Sequence, residues 1–226
     1  MSTLSNVATH GGESFPPSVR FSPGTIPKAK SSKTGVSVEY IPNANKQWYV
    51  FRASYRREIK ANEIIVSEGE FTYLPMHSIK KIVNGKMRTI HDALIPNILF
   101  AYLTEEKAYE FVDNTPSLHF LSFYYNHFKE SAGKNPPLII PEDEMLNFIK
   151  ATSVDTNHLL LLEPSQCHYK RNDIVEVLDG AFAGVRGKVV RVSGQQRVAV
   201  TLKGICTVAT AYIPTAFLKI VSENSK

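Results

Sequence analysis

The sequence predicts an α+β chain with two folded domains, a helix-and-sheet domain followed by a small all-β barrel. Two patterns carry that prediction. From Lys46 to Thr152 aromatic and β-branched runs alternate with helix-like segments, and from about His168 only short alternating strands remain, separated by Gly, Gln or Pro. The length agrees, since 226 residues suffice for two small domains that each bury a core.

Residues 1–45 are rich in Ser, Pro, Gly and Lys and have no apolar periodicity to offset the entropy of ordering, so a disordered N-terminal tail is expected. The first domain is expected over 46–152. It opens with "QWYVFRA", an aromatic run of strand length. Tyr55 to Glu68 follows as a helix with Tyr55, Ile59 and Val66 on its inward face and Gly69 as its left-handed end. "FTYLP" is the second strand. Asn84-Gly85 then sits between two alternating runs, the pattern of a tight hairpin whose turn needs two positive φ angles; this hairpin is basic and expected to protrude. "LIPNILFAYLT" reads as a central strand buried on both faces, with Pro96 near its start. Thr104 caps a helix whose first turn holds Glu105 and Glu106, acids suited to the positive end of the dipole, with Ala108, Phe111 and Val112 inward. "SLHFLSFYY" is a further strand. Pro141 opens the last helix, through Met145, Phe148 and Ile149 to near Thr152. This order suggests helices on one face of a mainly antiparallel sheet.

Residues 153–167, with "HLLLLEPSQ", are expected to link the domains. Residues 168–222 hold "DIVEVLDG", "GKVVRV", "QRVAVTL", "ICTVATAYI" and "AFLKIV", about five strands for which closure into a barrel leaves few edges exposed.

Composition excludes several classes of function. No apolar run of eighteen residues exists and the N-terminus lacks the pattern of a signal peptide, so a cytoplasmic protein without membrane contact, a monomer, is expected. Cys167 and Cys206 have no metal-ligand spacing and read as buried or idle thiols. Gly187-Lys188 is followed by Val189 where a phosphate loop needs Ser or Thr, and no GxGxxG or GxSxG occurs. The pairs His91-Asp92 and Cys167-His168 are adjacent, a spacing that points side chains apart on a strand. Neither an enzyme nor a cofactor or metal is expected. The net charge of +5 favours anionic partners. Its basic residues gather at Tyr55 to Lys60, at Lys80 to Arg88, and at Lys170, Arg171, Arg186, Lys188, Arg191 and Arg197. Solvated faces are the plain alternative for such clusters.

The stretch "YKRNDIVEVLDGAFAGVRGKVVRV" resembles the KOW motif of the NusG family: a strand, a glycine-bounded turn carrying Phe182, and Gly187 entering the next strand. Gly180, Gly184 and Gly187 would allow the bends and close approach that a small barrel corner needs. KOW modules also occur in ribosomal proteins. The preceding part, from "KQWYVFRA" through "FTYLPMHSIKK" and "LIPNILFAYL" to "NPPLIIPEDEMLNFI", resembles the NusG N-terminal domain in order and spacing, so the likeness covers about Lys46 to Val221. Among NusG proteins it is most similar to the specialised UpxY-type antiterminators of capsular polysaccharide loci.

The resemblance implies a NusG N-terminal-like α/β sandwich followed by an SH3-like KOW β-barrel. It also implies a transcription elongation and antitermination factor that binds the clamp helices of RNA polymerase through a hydrophobic depression. Carried over by position, that depression comprises Trp48, Tyr49, Ile95, Pro96 and Ile98, with Tyr73 and Leu74 nearby. Ile95-Pro96-Asn97-Ile98 stands where the family usually has Phe-Pro-Gly-Tyr. Lys80, Lys81, Lys86 and Arg88 would meet upstream or nontemplate DNA. Gly180, Phe182, Gly184, Arg186 and Gly187 would form an exposed edge for a ribosomal protein or a termination factor. A housekeeping NusG and a ribosome- or RNA-binding KOW protein are the alternatives, and core packing is the alternative role for the depression residues.

Overall fold

The computed structural model describes residues 26–127, 135–154, 159–163 and 169–221. Residues 26–45, expected within a structureless tail, instead form a strap along the first domain, with β1 (Ala29–Lys30) antiparallel to β2 (Ser37–Val38). Long-range contacts hold it. The Glu63 carboxylate accepts hydrogen bonds from Ser31 Oγ, from Ser32 N and Oγ and from Lys33 N at 2.7–3.1 Å. Tyr40 stacks on Trp48 with ring centroids 5.7 Å apart. Residues 1–25 of the expected tail lie outside the described residues.

The chain continues through β3 (Gln47–Ala53), α1 (Glu58–Ser67), β4 (Phe71–Tyr73), the ribbon of β5 (Met76–Val83) and β6 (Lys86–Ala93), β7 (Ile98–Leu103), α2 (Glu105–Tyr109), β8 (Leu121–Phe123), β9 (Ile139–Ile140) and α3 (Glu142–Thr152). Strands β4, β7, β3 and β8 lie side by side in that order, with β9 also on β3, and every pairing is antiparallel. Alternation along β3 and β7 divides their side chains between two cores. Tyr49, Phe51, Leu99, Ala101 and Leu103 pack with Ala61 and Ile65 of α1 and Ala108 of α2. Trp48, Val50, Phe100 and Tyr102 lie on the other face with Met145, Phe148 and Ile149 of α3. Helices therefore cover both faces, not one, because both faces of β3 and β7 are apolar and each needs cover.

Local details follow their sequence signals unevenly. Thr104 Oγ1 caps α2 by accepting from Lys107 N at 3.3 Å. Asn84 and Gly85 take φ of 52° and 74°, as the hairpin turn requires. In α1 the buried residues are Glu58, Ala61, Ile65 and Val66, so Val66 faces inward as expected, whereas Ile59 is exposed, as is Tyr55, which lies before the helix, and the inward face is corrected at those two positions. Leu94 to Asn97 form a bend before β7, and the strand itself starts at Ile98.

The second domain is one antiparallel sheet. Its strands are β10 (Leu160–Leu162), β11 (Tyr169–Val177), β12 (Arg186–Val192), β13 (Gln195–Leu202), β14 (Cys206–Ala209) and β15 (Leu218–Val221), in the order β10-β14-β13-β12-β11-β15. The expected linker thus supplies a strand, since Leu160 to Leu162 pair with Ala209 to Thr207. Gly187 is fixed by contact: a Cβ there would lie 2.2 Å from the Ala199 carbonyl oxygen on β13. Cys167 and His168 lie outside the described residues. Cys206 is partly buried, and burial pushes its thiol up to about 12, so it stays protonated and unreactive. Among the described residues no group of three His, Cys, Asp or Glu could hold a metal ion, and no helix is long and apolar enough to cross a membrane.

Candidate functional site

The structure brings four of the seven proposed depression residues onto one side of the sheet. Trp48, Tyr73, Ile95 and Ile98 share a single apolar cluster with Phe148 of α3. Tyr49 points to the opposite core, where Leu74 also packs, because odd and even positions of β3 face opposite ways. Pro96 is exposed at the rim.

The gathered face is covered. Trp48 is only 1% exposed, lying between Tyr40 of the strap, Phe71 and Tyr102. Tyr102 Oη donates to the Asn43 carbonyl and accepts from Asn43 N, both at 2.9 Å, while Tyr40 donates to Glu142 at the start of α3. Burial, reinforced by the Glu142 bond, pushes the Tyr40 phenol well above its ordinary value. At the other end of α3, Tyr73 Oη lies 2.6 Å from Thr152 Oγ1; burial raises that phenol too, against the hydrogen bonds. Both tyrosines remain neutral.

The barrel's turn also meets the first domain. Phe182, expected at an exposed edge, is 7% exposed and belongs to the cluster that contains Phe148 and Ile149 of α3. Asn147 of α3 donates from Nδ2 to the Arg186 carbonyl at 2.7 Å and accepts from Arg186 N at 2.8 Å. Tyr124 Oη donates to the Gly204 carbonyl at 3.0 Å. Gly180 and Gly184 have φ of 85° and 79°, as their turn demands, and a Cβ on Gly184 would face Lys150 Nζ at 4.0 Å. The exposure expected for Phe182 is therefore corrected, while Gly180 and Arg186 of the same turn are exposed as expected.

Basic residues form a separate surface. Among the described residues the β5-β6 ribbon pairs with no other strand, and Lys80, Lys81, Lys86 and Arg88 are all exposed on it. At its base Asp92 receives Arg56 at 2.6 Å and Lys81 at 4.0 Å. Beside that base lies a feature the sequence reading did not resolve. Tyr55, 87% exposed, and Arg56 both adopt positive φ, at 60° and 55°. Asn97, itself at φ 64°, accepts from Arg56 N through Oδ1 at 2.8 Å and from Ala53 N through its carbonyl at 2.9 Å. Arg57 lies 5.6 Å from the Tyr55 ring centroid and 5.2 Å from that of Phe120, where Lys60 also sits. Such strain persists only where surrounding contacts over-determine it. The "SYRR" run misled because its aromatic residue suited a helix face equally well. On the barrel, Arg186 is paired with Glu176 and Arg197 donates to the Thr210 carbonyl, while the side chains of Lys170 and Arg171 lie outside the described set.

Comparison with known proteins agrees with this architecture. Residues 46–149 match the NusG family, described as transcription termination factor nusG, and residues 171–203 match the KOW motif. The chain is also similar to the transcription termination/antitermination protein NusG of Streptococcus pyogenes serotypes M3 and M1. Each is 24% identical over 167 residues, covering 69% of this chain and 86% of the relative. The chain carries a NusG domain followed by a KOW motif.

Proposed function

We propose that this protein is a transcription elongation and antitermination factor that acts by binding RNA polymerase, not by catalysis. The observation that carries the reading is the succession of a NusG domain and a KOW motif in one chain. The Trp48, Ile95 and Ile98 face supports it as an apolar surface for the clamp helices of the polymerase, with Pro96 at its exposed rim. In the present arrangement strap and α3 cover that face, so polymerase binding competes with Tyr40. The energy is differential binding: a preference of about 1.4 kcal/mol for the processive state changes the paused fraction tenfold.

The basic ribbon and the Tyr55 to Lys60 surface beside it suit upstream or nontemplate DNA, through phosphate contacts and an aromatic face on which a base can stack. The KOW turn, once free of α3, suits a ribosomal protein or a termination factor. The finer reading is a specialised antiterminator of long operons such as those for polysaccharide synthesis. It is supported by Ile95-Pro96-Asn97-Ile98 in place of the usual Phe-Pro-Gly-Tyr and by the strap.

The test is binding of the intact chain to RNA polymerase elongation complexes over a range of salt. Replacing Lys80, Lys81, Lys86 and Arg88 together with Ala is expected to weaken binding and to flatten the log–log salt dependence by about 3. Absence of any polymerase binding by the unaltered chain would refute the proposal, and an unchanged salt slope would remove the ribbon from it.

A further inference from the structure

The tip of the β5-β6 ribbon carries a feature that charge does not account for. Ile82 and Met87 lie directly opposite each other across the strands, so their side chains share one face, and they are 73% and 66% exposed. Apolar side chains in this position have no role in either core. Lys80, two residues back along β5, lies on the same face, and Lys81 and Arg88 form the next cross-strand pair on the other face, with Lys86 at the turn. Among the described residues the ribbon pairs with no other sheet, and an isolated two-stranded ribbon is only marginally stable in water. The Ile82–Met87 pair stands about 17 Å along β6 from the Asp92 anchor, at about 3.4 Å per residue.

We propose that Ile82 and Met87 form an apolar wedge that inserts against a base step of DNA at a junction of paired and unpaired strands. The inference rests on the nucleic-acid role proposed above for the ribbon and adds the mode of contact. Charge complementarity selects the occupant, because cations ring the apolar pair on both faces and at the turn, an arrangement that fits phosphates flanking a stacked base and disfavours a purely apolar protein groove. Ile and Met are among the side chains used as such wedges, and a two-stranded ribbon is narrow enough to enter a groove. A junction is the favoured target because a base that is already unpaired costs least to unstack.

The test uses the intact chain and a DNA duplex containing an unpaired bubble, with 2-aminopurine at the bubble edge as a reporter of unstacking and anisotropy as the measure of binding. The protein is expected to raise 2-aminopurine emission. Replacing Ile82 and Met87 together with Ser should abolish that rise while lowering affinity no more than about tenfold. Replacing the four basic residues with Ala should lower affinity steeply with salt. If the Ser variant raises emission as the unaltered protein does, the wedge is wrong and the charged ribbon stands. If the unaltered protein shows no salt-sensitive DNA binding, the nucleic-acid role fails and the wedge with it. If the Ser variant keeps the emission rise and instead loses polymerase binding, the pair docks a protein and the proposal is overturned.

Discussion

Two single positions, one set by backbone conformation and one by close contact, make substitution costly. Asn97 combines a left-handed backbone with two accepted hydrogen bonds that brace the strained Tyr55-Arg56 bend. Asn97→Ala loses one of these and adds left-handed strain, so it is expected to destabilise the first domain by about 2 kcal/mol, and Asn97→Gly by about half as much. Urea unfolding followed by the fluorescence of Trp48, the one tryptophan, measures both; equal stability for all three proteins would contradict the bracing role. Gly187→Ala would push a methyl to 2.2 Å from a backbone oxygen of the neighbouring strand, a clash no rotamer relieves. A loss of about 2–3 kcal/mol from the barrel is expected. At this scale the sequence was legible where a backbone need has a dedicated residue, as in Asn84-Gly85 and Gly187. It was not legible at Tyr55, whose left-handed backbone depends on Asn97, 42 positions away by number.

Elements show the same division between local and distant causes. Strand alternation, the hairpin and the capped helix at Thr104 came from short-range patterns, and the structure has all three. The strap did not, because its order comes from Glu63 and Trp48, partners far along the chain. Burial pushes the Glu63 carboxyl up, but bonds from Ser31, Ser32 and Lys33 outweigh it and bring the carboxyl down to about 2, from an ordinary value of 4.5. A lowered folded value means the strap's attachment is complete above about pH 4.5 and is lost as pH falls towards 2. The amide resonances of Ser32 and Lys33 should therefore titrate with a midpoint of about 2; a midpoint at the ordinary carboxylate value would contradict the clamp. Removing the stacked ring, by Tyr40→Ala, should shift Trp48 emission to longer wavelength and open it to acrylamide quenching, which a strap with no contact to Trp48 would not do.

At the scale of the whole molecule, the two-domain division was visible as a change of period, but the docking of the barrel on α3 was not. It depends on Asn147 meeting the backbone of Arg186, which leaves no pattern in either domain's sequence. Asn147→Ala removes both hydrogen bonds and should increase the fraction of molecules with separated domains, seen as a larger radius of gyration in solution scattering; unchanged scattering would mean the apolar cluster alone holds the contact. The central claim concerns what the covered face is for. Its most direct test is transcription through a strong terminator by polymerase from the same organism, with the intact protein and with an Ile95→Asp, Ile98→Asp variant whose fold is checked by Trp48 emission. Readthrough that rises with the intact protein and is lost in the folded variant is the predicted result. Unchanged readthrough, or more termination, would contradict antitermination through this face.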